Sequence, residues 1–171
     1  TDGSFRTITL DEVAVEHDGV LWIDLIGEGP ALIQRLGELF AFHPLAIEDA
    51  SKRQQRPKVD EYGSHMFVVL YAIDIVVSRA RPELRELHVF VTGNTVITVH
   101  RHDIEEIDIA AKRWARHRDD AATNSVAMLF YTIVDALVDG YFPSIDAIGD
   151  EIDELETAMF AGGGTETLER V

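Results

Sequence analysis

Residues 86–100 read ELHVFVTGNTVITVH, two apolar runs of strand length that are separated by a two-residue turn. The runs, at 86–92 and 95–100, are rich in β-branched and aromatic residues, which favour strands. Gly93 and Asn94 readily adopt the positive φ that a tight hairpin turn requires. The stretch therefore predicts an antiparallel hairpin.

Upstream of this hairpin, strand and helix signals alternate. VLWIDLI at 20–26 and MFVVLYAI at 66–73 have the length and composition of strands. TLDE at 9–12 matches a capping box, and Pro30 and Pro44 suit the first turns of two further helices. We therefore expect an α/β fold in which helices pack on a mixed, partly antiparallel sheet.

Beyond His102 the apolar residues recur with a period of 3.6, which predicts amphipathic helices after the strands of the sheet. A segment at 144–160, SIDAIGDEIDELETAMF, carries a narrow apolar seam suited to packing on another helix. The seam consists of Ile145, Ile148, Ile152, Leu155 and Met159. We predict an α/β domain over 1–120, its acidic helical part over 121–160, and the start of a truncated helix at 161–171.

The composition sets limits on function. The 171 residues include no cysteine, so disulfides and thiolate metal ligands are excluded. The longest uninterrupted apolar run, 66–73, is far shorter than the roughly 20 residues that cross a bilayer, and we expect the chain as given to be soluble. The net charge is −16, and between Arg118 and Arg170 there are 12 acidic residues and no Lys or Arg. Such a field disfavours nucleic acid as a partner and attracts divalent cations.

Two carboxylate pairs are candidate metal ligands. Glu48 and Asp49 end the short PLAIEDA helix, where the helix dipole disfavours anions, and the nearby cations Lys52, Arg53 and Arg56 offer a purely structural explanation. The second pair, Asp135 and Asp139, lies four residues apart on an apolar helix, where like charges repel. Carboxylates that converge from different helices suit Mg²⁺, although solvated Asp pairs are also ordinary.

Other chemistries have less support in the sequence. His100 and His102 would place two imidazoles on one side of a strand end, as zinc requires, but no third ligand is evident. His43, before Pro44, fits a helix-entry residue better than a ligand. No G-x-S-x-G elbow, Walker loop or G-x-G-x-x-G loop occurs, so no catalytic residues are assigned.

Three elements in order resemble the cytoplasmic domain of CorA-type magnesium transport proteins. They are HPLAIED at 43–49, QRPKVDEY at 55–62 and YTIVDALVDGYF at 131–142, and the likeness runs from about Leu21 to Phe160. Proteins of this family are homopentameric membrane channels in which a cytosolic α/β/α domain leads by a stalk helix to two transmembrane helices. Their Gly-Met-Asn pore signature is absent here, so the chain is similar to the isolated domain on the cytoplasmic face of the membrane.

The resemblance also implies a regulatory metal site between subunits. Carried onto matching positions, its ligands are Asp49, Glu48 and Asp135, with Asp139 in a less defined role. The expected ion is Mg²⁺, or Co²⁺ in its place, and a further stalk Asp of the family has no counterpart in this chain. Two alternatives stay open: the cytosolic domain of a related zinc or cobalt transporter, and a soluble metal-dependent enzyme that uses Asp49 and Asp135.

Overall fold

The computed structural model of the chain describes residues 5–7, 9–13, 19–27, 29–52, 54–76, 81–117 and 124–160. The helices are α1 (Leu10–Val13), α2 (Pro30–Leu39), α3 (Pro44–Ser51), α4 (Glu105–His117) and α5 (Val126–Phe160). The strands are β1 (Leu21–Ile26), β2 (Lys58–Glu61), β3 (Met66–Val76), β4 (Arg81–Val91) and β5 (Thr95–His100). The helix expected at 161–171 lies outside the described residues and stays a prediction.

The five strands form one mixed sheet in the order β1-β5-β4-β3-β2. β4 and β5 pair antiparallel with Val91 opposite Val96, which confirms the predicted hairpin. β1 runs parallel to β5, with Asp24 opposite Thr98, and the other pairings are antiparallel. The predicted mixed, partly antiparallel sheet is therefore confirmed.

Side chains that alternate along the strands supply two separate cores. On one face Phe67, Phe90 and Ile97 pack with the apolar residues of α2 and α3. On the other face Val68 and Val89 pack with α4 and α5. Helices cover both faces, which is the α/β/α arrangement expected from the sequence.

The structure extends the strands beyond the sequence-based limits. β3 and β4 pair along their whole lengths, from Met66 opposite Val91 to Val76 opposite Arg81. β5 reaches only as far as Leu87 of β4, so Pro82 lies where β4 has no second neighbour and its missing N–H is tolerated. The sequence analysis missed β2 altogether, because KVDE is short and charged, as edge strands often are.

α5 is one helix of 35 residues that contains Pro143, whereas the sequence analysis treated 144–160 as a segment of its own. Its first half is anchored to the sheet by Leu129, Ile133 and Leu137, which are at most 2% exposed. The second half continues the same helix past Pro143 and turns the predicted seam to solvent, with Ile145 60% exposed and Met159 63% exposed. The seam therefore lacks a packing partner among the described residues.

α5 also has the length and apolar composition of a membrane-spanning helix. The sequence analysis considered only unbroken apolar runs and therefore did not detect this property of α5, whose apolar residues are interrupted by charged ones. Buried contacts of Leu129, Ile133, Ala136 and Leu137 with the sheet make its N-terminal half a wall of the domain core. Core helices of soluble proteins can have the same length and composition, so these properties of α5 are only weak evidence for a membrane span.

Candidate functional site: two groups of carboxylates

The short helix α3 is started by its own HP dipeptide. His43, with φ −63° and ψ 136°, is the N-cap, and its Nδ1 accepts a hydrogen bond from the N–H of Leu45 at 3.2 Å. Pro44 fills the first helical position, where a missing N–H costs nothing. The imidazole of His43 also stacks on Tyr62, with ring centroids 4.4 Å apart. His43 is thus a helix-entry residue, as predicted from the sequence.

Each carboxylate at the end of α3 has a protein cation as its partner. Lys52 forms an ion pair with Glu48 one turn away, which confirms one of the expected structural partners. Asp49 pairs instead with Lys58 of β2, its Oδ2 lying 2.6 Å from Nζ. Lys58 also contacts Asp60 Oδ2 at 2.6 Å, and the hydrogen bonds to Asp49 and then Asp60 raise the pKa of Lys58. Arg53, the other adjacent candidate, lies outside the described residues.

The turn that carries Lys58 to Asp49 is held by Glu86 of β4. The carboxylate of Glu86 accepts hydrogen bonds from the backbone N–H groups of Gln54, at 3.0 Å, and Gln55, at 2.8 Å. The hydroxyl of Tyr71 donates to the carbonyl of Gln55. Gln54 adopts φ 62°, a strained conformation for a residue other than glycine, and these contacts offset its cost. Sequence reasoning missed Glu86, because the backbone groups that it binds are more than 30 residues away; its carboxylate also lies 3.1 Å from Nε2 of His88.

Asp135 and Asp139 share one guanidinium. Arg113 of α4 donates from Nη1 to Asp135 Oδ2 at 2.8 Å and from Nη2 to Asp139 Oδ2 at 2.7 Å. The hydrogen bond to Asp139 is the main cause of the raised pKa of Arg113. Tyr131 adds a hydroxyl donor to Asp135 Oδ1 at 3.2 Å. The repulsion expected between these two carboxylates is therefore relieved by Arg113.

Within one chain the two groups do not converge. Asp49 belongs to α3, on the sheet face that carries Phe67 and Phe90, whereas Asp135 belongs to α5 on the opposite face. The described residues contain no cluster of three or more His, Asp or Glu side chains that could hold a metal ion. Each group offers carboxylate oxygens, the hard donors that Mg²⁺ prefers. The donor chemistry fits Mg²⁺, and a shared site requires a second copy of the chain.

His100, considered with His102 for zinc, has a different role. Its Nε2 lies 3.0 Å from Asp24 Oδ1 and its Nδ1 lies 2.7 Å from the carbonyl oxygen of His102. Both ring nitrogens are thus engaged, with the side chains of His100 and Asp24 only 1% and 5% exposed. Burial lowers the pKa of His100, but the hydrogen bond and charge of Asp24, the carbonyl oxygen of His102 and the charge of Asp103 together leave that pKa raised. The geometry is that of a buried ion pair rather than of a zinc site.

Comparison with known proteins identifies the family whose members are similar to this domain in sequence. The sequence model of the family described as CorA-like Mg2+ transporter protein matches residues 17–171. The cobalt/magnesium transport protein CorA of Thermotoga maritima is 30% identical over 169 residues, which cover 97% of this chain and 48% of that protein. The putative metal ion transporter YfjQ of Bacillus subtilis is 31% identical, with 88% of this chain and 46% of that protein covered. The chain spans about half the length of these relatives, which are named as transport proteins.

Solved structures share the fold at lower identity. The soluble domain of CorA from Methanocaldococcus jannaschii superposes with a TM-score of 0.69 at 19% identity, covering 95% of this chain and 62% of that one. The ZntB cytoplasmic domain of Vibrio parahaemolyticus gives 0.66 at 15% identity, covering 91% of this chain and 65% of that one. At these identities the likeness establishes the architecture alone.

Proposed function

The chain belongs to the CorA-like Mg2+ transporter protein family, and from that premise we propose that it is the divalent-cation-sensing cytosolic domain of a magnesium transporter. Its place is the cytoplasmic face of the membrane, joined to a stalk and transmembrane helices of the same protein. The proposed sensor ligands are Asp49, Glu48, Asp135 and Asp139. The observation that carries the proposal is the placement of these carboxylates in two groups on opposite faces of one domain.

Such a placement suits a site that forms between neighbouring subunits. When identical domains are arranged in a ring, the face that carries α3 on one copy meets a different face of the next copy. Asp49 of one subunit then approaches Asp135 of its neighbour, although the two never approach within a chain. In the proposed homopentamer this contact repeats at every subunit boundary.

The regulatory consequence follows from linkage. Mg²⁺ supplies positive charge between the carboxylates, and it stabilises whichever pentamer state brings them together by its differential affinity for that state. When cytosolic Mg²⁺ falls, Asp49 and Asp135 lose this shared counter-ion and their repulsion favours looser packing of the subunits. We assign the assembled state to the closed channel.

The exposed seam of α5 has a place in the same proposal. Ile145, Ile148 and Ile152 are 45–60% exposed on a helix that is otherwise acidic at this end. Apolar residues in such a row bury their surface against another helix. We propose that the seam packs on helices of the full-length protein.

The identity of the ion is the open alternative within this function. The CorA relative of Thermotoga maritima is named for cobalt and magnesium, and the ZntB cytoplasmic domain of Vibrio parahaemolyticus shares the fold. The donors described above are carboxylate oxygens, with no cysteine in the chain, which favours Mg²⁺ over the softer Zn²⁺. Carboxylate oxygens discriminate less strongly between Mg²⁺ and Co²⁺, so Co²⁺ can occupy the same ligands.

The test is a titration of Mg²⁺, Co²⁺ and Zn²⁺ against the thermal stability of this chain. We expect Mg²⁺ to raise the melting temperature of the unmodified protein and to have a smaller effect on Asp49→Ala and Asp135→Ala. Arg6→Ala, which breaks an exposed ion pair with Glu12, controls for the loss of an unrelated charged contact. An equal response of all four proteins would exclude these carboxylates as the ligands.

A further inference from the structure

Both halves of the proposed metal site already hold a positive charge that belongs to the chain. Lys58 lies 2.6 Å from Asp49, and Arg113 lies within 2.8 Å of both Asp135 and Asp139. A divalent cation that binds to the same oxygens must displace these groups or bind beside them against their repulsion. The carboxylates are thus not free ligands in this structure.

Lys58 is placed so that it can release Asp49 without losing its other contacts. Lys58 and Asp60 are two residues apart on β2 and therefore lie on one face of the strand, where Nζ contacts Asp60 at 2.6 Å. The ammonium also lies over the ring of Phe67, 5.7 Å from its centroid. Because Asp60 and Phe67 remain, a shift away from Asp49 leaves the ammonium partnered.

Arg113 has a different geometry with the same consequence. Its two terminal nitrogens each bind one carboxylate, so the fork spans one turn of α5 and links it to α4. The side chains are accessible, with Arg113 36%, Asp135 41% and Asp139 53% exposed. Solvent access allows the guanidinium to swing away when a metal ion approaches.

Resting on the proposed function, we propose that Lys58 and Arg113 are tethered competitors of the divalent cation, so that metal binding is an exchange of cations. Each residue lowers the apparent affinity of its own half of the site. Together they raise the Mg²⁺ concentration at which the carboxylates fill, and thereby set the threshold of the sensor. Lys58 and Arg113 are specificity- and threshold-determining residues rather than ligands.

The test uses Mn²⁺ as a paramagnetic probe with the ¹⁵N-labelled chain. Bound Mn²⁺ broadens nearby amide signals, and added Mg²⁺ should reverse the broadening. We compare Lys58→Met and Arg113→Met with Arg6→Met, which removes an equal charge from an exposed pair with Glu12. Surface ion pairs are weak, so we expect Lys58→Met to lower the Mn²⁺ concentration that broadens the Asp49 amide by about threefold to fivefold.

The effects should be confined to the site. Because one ion in the shared site lies near both groups of carboxylates, Lys58→Met and Arg113→Met should each lower the Mn²⁺ concentration that broadens the Asp49 and Asp135 amides, and Arg6→Met should change neither. Lys58→Arg, which keeps the charge, should behave as the unmodified protein. Lys58→Gln provides a second neutral variant in case Lys58→Met fails to fold, as judged by the dispersion of the amide signals.

The outcomes separate this inference from the proposed function. If Asp49→Asn abolishes the local broadening but neither neutral variant shifts the midpoint, the competition is refuted and the ligand assignment stands. Equal shifts in all three Met variants would mean that net charge alone controls binding, which also refutes the competition. If Mn²⁺ broadens neither amide in any of the proteins, the proposed site and this inference both fail.

Discussion

Replacing Asp24 with Asn should remove a pH dependence of stability that originates in one buried pair. His100 and Asp24 are almost inaccessible, and both ring nitrogens of His100 face acceptors, namely Asp24 and the carbonyl oxygen of His102. Two acceptors call for two N–H donors, which is the imidazolium form. The raised pKa of His100 agrees with this form: burial opposes the charge, and Asp24, the His102 carbonyl and Asp103 together outweigh burial.

The sign of the effect follows from linkage. Because the folded-state pKa of His100 is raised, its contribution is fully present below the unfolded value of about 6.5 and is lost as pH rises through the folded value. The slope is at most about 1.4 kcal/mol of unfolding free energy per pH unit for one proton. Burial lowers the pKa values of His65 and His88, so these residues act in the opposite direction: their contribution to stability is lost as pH falls through about 6.5 and below.

Asp24→Asn should therefore lower the free energy of unfolding by about 1–3 kcal/mol at pH 6.5. This loss is smaller than that caused by breaking a buried ion pair outright, because a neutral His100 can still accept a hydrogen bond from the Asn amide. Urea unfolding at pH 6.5, 7.5 and 8.5 measures both the free energy of unfolding and its change with pH. We expect the unmodified protein to lose stability across this range and Asp24→Asn to lose less. Asp108→Asn, an exposed residue of α4, is the charge-matched control and should keep the slope. An unchanged slope in Asp24→Asn would refute the buried imidazolium.

The packing of the helices gives further predictions. Gly37→Ala should destabilise by about 1–3 kcal/mol in urea unfolding, because the new Cβ would lie 2.6 Å from Ile47 Cδ1 in the buried contact of α2 with α3. Gly149→Ala meets nothing within 4 Å on exposed α5 and should stabilise by about 0.5–1 kcal/mol through helix propensity. Arg113→Gln should change the unfolding free energy by less than about 1 kcal/mol, since the ion pairs are exposed, and a larger loss would make Arg113 a structural residue.

The regular elements with strong local signals could be predicted from the sequence. The β4–β5 hairpin carries its own turn residues, and His43 and Pro44 specify the start of α3 within two positions. β2 was not predicted, because an edge strand of four residues, three of them charged, has no apolar alternation to detect. The segment 144–160 was treated separately, but in the structure it continues the helix that begins at Val126 and passes through Pro143.

The candidate site was only half predictable. Glu48, Asp49, Asp135 and Asp139 stand out by spacing and by resemblance, and the pairing of Glu48 with Lys52 follows from an i, i+4 relation. The partners Lys58 and Arg113 come from other elements, nine and 22 residues away, which only the folded arrangement brings together. Because of Lys58 and Arg113, the carboxylates are not free but already paired with positive charges of the same chain.

A subunit-mixing experiment tests the shared site most directly. Sedimentation velocity is recorded with and without Mg²⁺ for the unmodified chain, for Asp49→Asn, for Asp135→Asn, and for an equimolar mixture of the two variants. We predict Mg²⁺-dependent association of the unmodified chain, none for either variant alone, and partial recovery in the mixture, where an intact Asp49 faces an intact Asp135. A mixture that stays as dissociated as its components, while the unmodified chain associates, would contradict a metal site shared between subunits.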